Sequence, residues 1–516
     1  PPAFRTDATM QLAGQTAHVS AEYLSFTLDA SSWRSLDLNG SYSSALDVLA
    51  AALRPARLRV GGTQADYDVY SGFGPGSTSC AQLRPPMSSY RCREVNPAQL
   101  RSLLNFTQRN GLSLIFGLND LFGRPTKTSP EKDLCSESAC PARNLTNAAA
   151  LVRWAAAEPL ATQALYALEL GNELNSCLRG RAGARAQAAD LNALKTLVDA
   201  AWREGAPRVL GPDTHSSLEF EPSALEWFTT YAAEASAAAG LTYHEYSLGD
   251  GPKLDPQRLD ESFLSPSQLD RAGQGLRAAL KTLPDAPPLW VGESAAANNG
   301  GQSGITDTFV DVFWYLDQLG SLAALNVSVF LRQTLLSRGG YPLIELSHTE
   351  GEPSRPTVTP LPDYWVALLH KRLMGERVLN TTSSARNVRL YAHCGKPGGV
   401  SVAFLNIADL EVTLTLPIVL ARSPRDDFIL TAGKPIEGAV DQLQSKEVLL
   451  NGEVIKFQSA ENPSHLSNHR SSTPPELPTL HGRTVKLGAP ALIPPKSVGF
   501  FHFPNASVAP CQVPIR

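Results

Sequence analysis

With 516 residues, 43% hydrophobic and 18% charged, the chain has the composition of a globular protein long enough for more than one domain. A net charge of −4 gives no reason to expect a nucleic acid or other polyanion as partner, and no run of about 18 apolar residues is present to span a membrane. The opening PPAFRTDATM lacks the basic-then-apolar pattern of a secretory leader and reads as a chain already trimmed.

In chain order, apolar strand-like runs occur at 18–29, 57–62, 112–119, 165–173, 207–213, 241–247, 288–294 and 326–334. Ala- and Leu-rich helical stretches such as 96–111, 188–205, 265–283 and 307–321 lie between them. Strands alternating with helices in this way predict an α/β fold, a (β/α)8 TIM barrel over 18–375. The runs end in polar residues: Asp29, Thr63, Asn119, Asn172 with Glu173, Asp213, His244 with Tyr246, Glu293 and Gln333. In such a barrel those ends form the active-site face. Beyond about residue 375 the texture changes to short alternating segments, among them NVRLYAHC, GVSVAFLNIA, EVTLTLPIVL, DFILTA, KEVLLNG and SVGFFHF. They predict an appended C-terminal β-sandwich. Strand-like residues near the start are expected to join it, giving a discontinuous domain of 1–17 plus 376–516. The polar, Pro-rich stretch 459–480 reads as a long surface loop.

Of seven cysteines, Cys80 with Cys92, Cys135 with Cys140 and Cys394 with Cys511 make three disulfides and leave Cys177 over. No Cys/His spacing suggests a metal, and no cofactor is expected. Sequons at Asn39, Asn105, Asn144, Asn326, Asn380 and Asn505 agree with a secreted glycoprotein, outside the cell or in its wall, or in a lysosome or vacuole. A monomer is expected.

The stretch LELGNELNS sets Asn172 and Glu173 at the end of an apolar run. Taken alone, they are a turn-forming Asn and a loop carboxylate. Glu293, at the end of the seventh run, changes that reading. Two carboxylates across a barrel mouth suit glycosidic bond cleavage, with about 5–5.5 Å between them in a retaining enzyme and roughly 6.5–9.5 Å in an inverting one. Asn172 can donate to a sugar hydroxyl, and Tyr246 can donate to Glu293 and hold it ionised. Glu173 would then be the acid with the raised pKa. His244 and Tyr246 are expected among the substrate-binding residues, the alternative for His244 being a satisfied polar core residue.

GNE at 171–173, WVGES at 290–294, FWYLDQLG at 313–320, RQTL at 332–335 and LPDYW at 361–365 together resemble glycoside hydrolase family 79. This is the family of heparanase and of plant and microbial β-glucuronidases. LRVGGTQAD (58–66), LIFGLN (114–119) and the Cys394/Cys511 pair extend the likeness over nearly the whole chain. The resemblance implies a retaining mechanism with Glu173 as acid/base and Glu293 as nucleophile. It implies that Asp29, Thr63, Asn172 and Gln333 bind the glucuronic acid, and that Tyr341 and the backbone at Gly300 hold its carboxylate. Asn298 and Asn299 depart from the family pattern, standing where heparanase has tyrosine and glycine.

Heparanase also carries an excised linker and basic clusters beside its cleft. Here about thirty residues fill the corresponding gap, and THSSLEFEPSALEW follows GPD where a basic cluster would lie. The expectation is therefore an exo-acting β-glucuronidase with a carbohydrate substrate. A heparanase-type endo-β-glucuronidase acting on heparan sulfate is the alternative within the family. A barrel glycosidase for a neutral sugar would leave Tyr341 and the Gly-rich loop without a carboxylate, and a catalytically inactive glycan-binding protein would not need both glutamates.

Overall fold

The computed structural model describes residues 5–40, 42–82, 92–121, 143–175, 182–215, 222–283, 285–349, 352–396, 398–459 and 474–512. Eight parallel strands close a barrel in chain order: Leu24–Asp29, Ala56–Gly61, Leu112–Leu118, Leu165–Leu170, Arg208–Thr214, Gly240–Glu245, Leu289–Ser294 and Val329–Arg332. Helices cover the outside, so these strands are apolar on both faces and read as near-continuous Leu/Val/Ile/Phe runs. Outward residues such as Leu58, Leu114, Leu168 and Val291 join the main core with the helices. Residues of the other parity, Ile115, Ala167, Leu210, Trp290, Val329 and Leu331, fill the barrel itself. Below them the Arg57 guanidinium lies 3.5 Å from the centroid of the Tyr166 ring, which stacks on Trp290 at 6.0 Å. Two residues further along the same strands, the inward positions become Arg59 and Glu169, and the packing turns polar toward the C-terminal mouth.

The sandwich comes from residues on either side of the barrel. The strand Arg5–His18 pairs antiparallel with Met374–Ser383 and parallel with Glu411–Thr415, joining the two halves of an 11-stranded sheet. Ala8, Met10, Leu390, Val402, Phe404 and Phe501 are in its core. Helix Asp311–Ala324 is buried along most of its length because it lies between barrel and sandwich. Asp317 on this helix accepts from Arg389 and Tyr391, and at Gly320 a Cβ would lie 2.0 Å from Tyr391 Cγ. That close approach explains the glycine of FWYLDQLG.

Three expectations need correction. The run 18–29 is not one strand: His18 ends the N-terminal strand and the barrel strand begins at Leu24. The stretch 265–283 divides into Pro266–Leu269 and Gln274–Thr282, because Gly273 takes a left-handed φ of 67° between them. In EVTLTLPIVL the strand stops at Thr415, and a helical turn, Ile418–Ala421, follows Pro417.

Disulfides join Cys80 to Cys92 and Cys394 to Cys511. Cys135, Cys140 and Cys177 lie outside the described residues, as does most of 459–480. All six sequon asparagines are exposed. Among the described residues no helix is long and apolar enough to cross a membrane, and no group of side chains could hold a metal ion.

Candidate active site

A cleft of about 420 Å³ opens at the C-terminal ends of the strands, lined by Asp29, Thr63, Asn172, Glu173, Tyr246, Glu293, Gly300, Gln333 and Tyr341 among others. Glu173 stands just beyond the fourth strand. Gly171, with φ 81°, turns the chain there, and Glu173 itself has φ 56°. The turn is held by hydrogen bonds from the Gly171 N–H to Leu118 O at 2.9 Å and from the Asn172 N–H to Asp66 Oδ2 at 2.8 Å. A left-handed glutamate is a strained residue and persists only where its surroundings over-determine it.

Glu293 lies on the seventh strand. Its Oε2 accepts from Arg59 Nη1 at 2.9 Å, and the Tyr246 hydroxyl donates to Oε1. Arg59 also donates to Glu169, to Asp213 and, at 3.1 Å, to Asn172 Oδ1. With its oxygen committed to Arg59, the Asn172 amide has its nitrogen left to donate. Burial raises the Glu293 carboxyl above its ordinary range, against the pull of His244 and Arg59. The expectation that the Tyr246 hydrogen bond holds this glutamate ionised is therefore corrected: burial outweighs the pull of both cations, and the net direction is upward. Glu169 is pushed up to about 7 by burial and by the Asp213 charge. Burial raises Tyr246 and Tyr341, so both hydroxyls stay protonated donors.

His244 requires a correction. It is fully buried beneath the glutamates, so it acts on them and not directly on the cleft. Its Nδ1 is 2.7 Å from Glu173 Oε1 and 4.0 Å from Glu293 Oε1. Those two carboxylate oxygens are thus no further apart than about 6.7 Å, the sum of the two lengths, so one imidazole holds both glutamates at the same mouth. Burial alone would lower His244, but the Asp213 and Glu293 charges carry it well above the ordinary histidine range.

On the far wall, Asp29 Oδ1 accepts from the Ser31 N–H at 2.7 Å, and Asp29 Oδ2 is 3.4 Å from Gln333 Nε2. Arg332 donates to the Gln333 carbonyl and is fixed by Asp311 at 2.8 Å and Asp363 at 2.7 Å, which accounts for the charged residues of RQTL and LPDYW. The loop 298–301 meets the loop 339–341 backbone to backbone: at Gly340 a Cβ would lie 2.1 Å from Gly300 O. Gly300, φ 87°, has open space where a side chain would stand. Asn299 turns its side chain away, donating to Asp250 at 2.9 Å. The backbone N–H groups of Asn299 and Gly300 have no hydrogen-bond partner among the described residues. No Lys or Arg lines the cleft among them either.

The sequence reading missed Arg59, Glu169 and Asp66. An arginine at an inward barrel position is the available signal, since a buried guanidinium demands carboxylate partners.

The sequence profile "Glycosyl hydrolase family 79, N-terminal domain" matches residues 18–320. Heparanase-like protein 3 of Arabidopsis thaliana is 29% identical over 95% of this chain and 88% of that protein. Heparanase of Mus musculus is 28% identical over 96% of this chain and 92% of its own. Baicalin-beta-D-glucuronidase of Scutellaria baicalensis is 32% identical over a shorter span, 56% of this chain and 50% of that protein. Among solved structures, the 4-O-alpha-L-rhamnosyl-beta-D-glucuronidase of Fusarium oxysporum shares the fold with a TM-score of 0.62 at 15% identity, covering 96% of this chain and 100% of that one.

Proposed function

The chain belongs to glycosyl hydrolase family 79, and on that premise we propose that it is a retaining β-D-glucuronidase that removes a terminal glucuronic acid. The observation that carries this reading is the pair of glutamates bridged by His244 in a cleft whose upper wall offers uncharged donors to a carboxylate. Glu293, aimed by Arg59 and Tyr246, attacks the anomeric carbon while Glu173 protonates the departing oxygen. A covalent glycosyl ester on Glu293 results. Glu173, now a carboxylate, takes a proton from the water that hydrolyses this ester and is restored as the acid. The Asn172 amide donates to the hydroxyl beside the reacting carbon, where such bonds tighten in the transition state. Asp29, Thr63 and Gln333 take further hydroxyls. The sugar carboxylate is received by the Tyr341 hydroxyl and the N–H groups of Asn299 and Gly300.

Exo action on a small glucuronide is supported by the lack of cleft cations among the described residues and by the likeness to a baicalin β-glucuronidase. A sulfated chain would need several Lys or Arg. The barrel, 18–375, carries the chemistry, and the sandwich, 1–17 plus 376–516, serves as its packing partner. Disulfides and exposed sequons support a location outside the cell or in a lysosome or vacuole.

The test is hydrolysis of an aryl β-D-glucuronide beside the aryl β-D-glucoside, from about pH 4 to 7, with Glu293→Gln as control. Turnover of the glucuronide alone, lost in the variant, is the expected result. Activity on the glucoside would refute carboxylate recognition. Inactivity on both, with cleavage of a longer glucuronic-acid-containing chain, would favour an endo-enzyme, and inactivity on all three would favour a binding protein.

A further inference from the structure

Asp213, at the end of the fifth barrel strand, is fully buried and has a left-handed φ of 58°. Asp is one of the few side-chain-bearing residues that adopt this conformation readily. Three of its oxygens lead to the two glutamates. Its backbone carbonyl accepts the Glu173 N–H at 2.8 Å. Oδ2 takes the guanidinium of Arg59, whose Nη1 reaches Glu293. Oδ1 lies 2.8 Å from His244 Nε2, an ion pair on the side of the ring opposite the nitrogen that meets Glu173. The space for this carboxylate comes from the seventh strand, where a Cβ on Gly292 would lie 2.5 Å from Asp213 Oδ1. The close approach of Asp213 thus accounts for the glycine of WVGES, next to Glu293.

We propose that Asp213 is a positioning residue of the reaction, orienting Glu173 through His244 and Glu293 through Arg59. The inference rests on the roles assigned to those glutamates above. Without its charge, His244 loses the carboxylate facing its outer nitrogen, and Arg59 keeps only Glu169 and Glu293 as anionic partners. One arm then acts on proton donation to the leaving group and the other on the nucleophile.

The experiment compares Asp213→Asn with Glu173→Gln and Glu293→Gln on phenyl and 4-nitrophenyl β-D-glucuronide, whose leaving groups differ in their need for a proton. For Asp213→Asn, kcat/KM is expected to fall about 100-fold on the phenyl substrate and only about 10-fold on the nitrophenyl one, because lost acid assistance weighs on the poorer leaving group. Equal losses of kcat/KM on both substrates, the quantity that reports the leaving-group step, would remove the Glu173 arm and overturn the inference as stated. Wild-type rates in Asp213→Asn, with both glutamate variants inactive, would overturn the inference and leave the glucuronidase reading intact. Turnover surviving Glu293→Gln would overturn that reading, and the inference with it. Should Asp213→Asn not fold, neutron diffraction from the unmodified protein tests the His244 arm directly. Deuterons on both ring nitrogens at neutral pH are expected, and a bare Nε2 facing Asp213 would refute the arrangement.

Discussion

Replacing Asp66 with asparagine should reverse its effect on stability as the pH rises. Asp66 is 1% exposed, and its two oxygens accept the N–H groups of Asp120 at 2.9 Å and Asn172 at 2.8 Å. Burial pushes its carboxyl up to about 8, with the Asp120 charge adding and those two N–H groups opposing. The folded protein therefore keeps a proton that the unfolded chain releases above its ordinary value of 3.8. Stability from this group is complete below about pH 4 and is lost as the pH rises toward 8, at roughly 1.4 kcal/mol per unit. The substituted asparagine would not titrate, but its amide nitrogen cannot accept, so one buried N–H goes unpaired at about 1–3 kcal/mol. Asp66→Asn should thus melt below the wild type near pH 4, match it somewhere between about pH 4.5 and 6 and exceed it near pH 8. Thermal denaturation of both proteins in matched buffers measures this. A gap that stays constant, or widens in favour of the wild type, would mean that Asp66 is already ionised in the fold.

Arg59→Met leaves Glu169, Asp213 and Glu293 buried around an apolar side chain; losing one partner of a buried ion pair costs about 3–5 kcal/mol, so a lower melting temperature and loss of glucuronide turnover are expected. An unchanged melting temperature would show that the three carboxylates are neutralised without it. Tyr341→Phe should raise KM for an aryl glucuronide about tenfold with kcat little changed, the worth of one hydrogen bond to a charged group. Unchanged kinetics would exclude Tyr341 from carboxylate binding.

The two glutamates were legible because each ends an apolar run at the same end of its strand. A barrel converts that sequence position into a shared mouth. Arg59 was not legible, since its inward direction depends on barrel closure and its partners Glu169 and Asp213 are 110 and 154 residues away. His244 was visible as a polar strand end, but parity along a strand cannot say whether such a residue lines the cleft or supports what does. The break at Gly273 escaped for a local reason: a glycine inside a helical pattern is tolerated unless its φ turns positive. In FWYLDQLG and LPDYW the family likeness was readable, whereas the physical reason was not. Asp317 and Gly320 act at the contact with the sandwich, and Asp363 acts on Arg332 beneath Gln333.

The charge arrangement also fixes how the enzyme should respond to salt. The described lining carries Asp29, Asp66, Glu173 and Glu293 and no Lys or Arg. Arg59 and His244, just below, are committed to carboxylates of the protein itself. On the proposed reading a sugar carboxylate would be met by neutral donors, which act at hydrogen-bond range. Salt largely screens charges separated by more than about 10 Å at 0.1 M or about 30 Å at 0.01 M. KM for an aryl glucuronide should then change by no more than about twofold between roughly 10 and 150 mM salt. An enzyme that gripped a polyanion through several cations would lose affinity linearly in log salt. A rise in KM of about tenfold or more over this range would contradict carboxylate recognition by uncharged groups and return the endo-acting reading to first place.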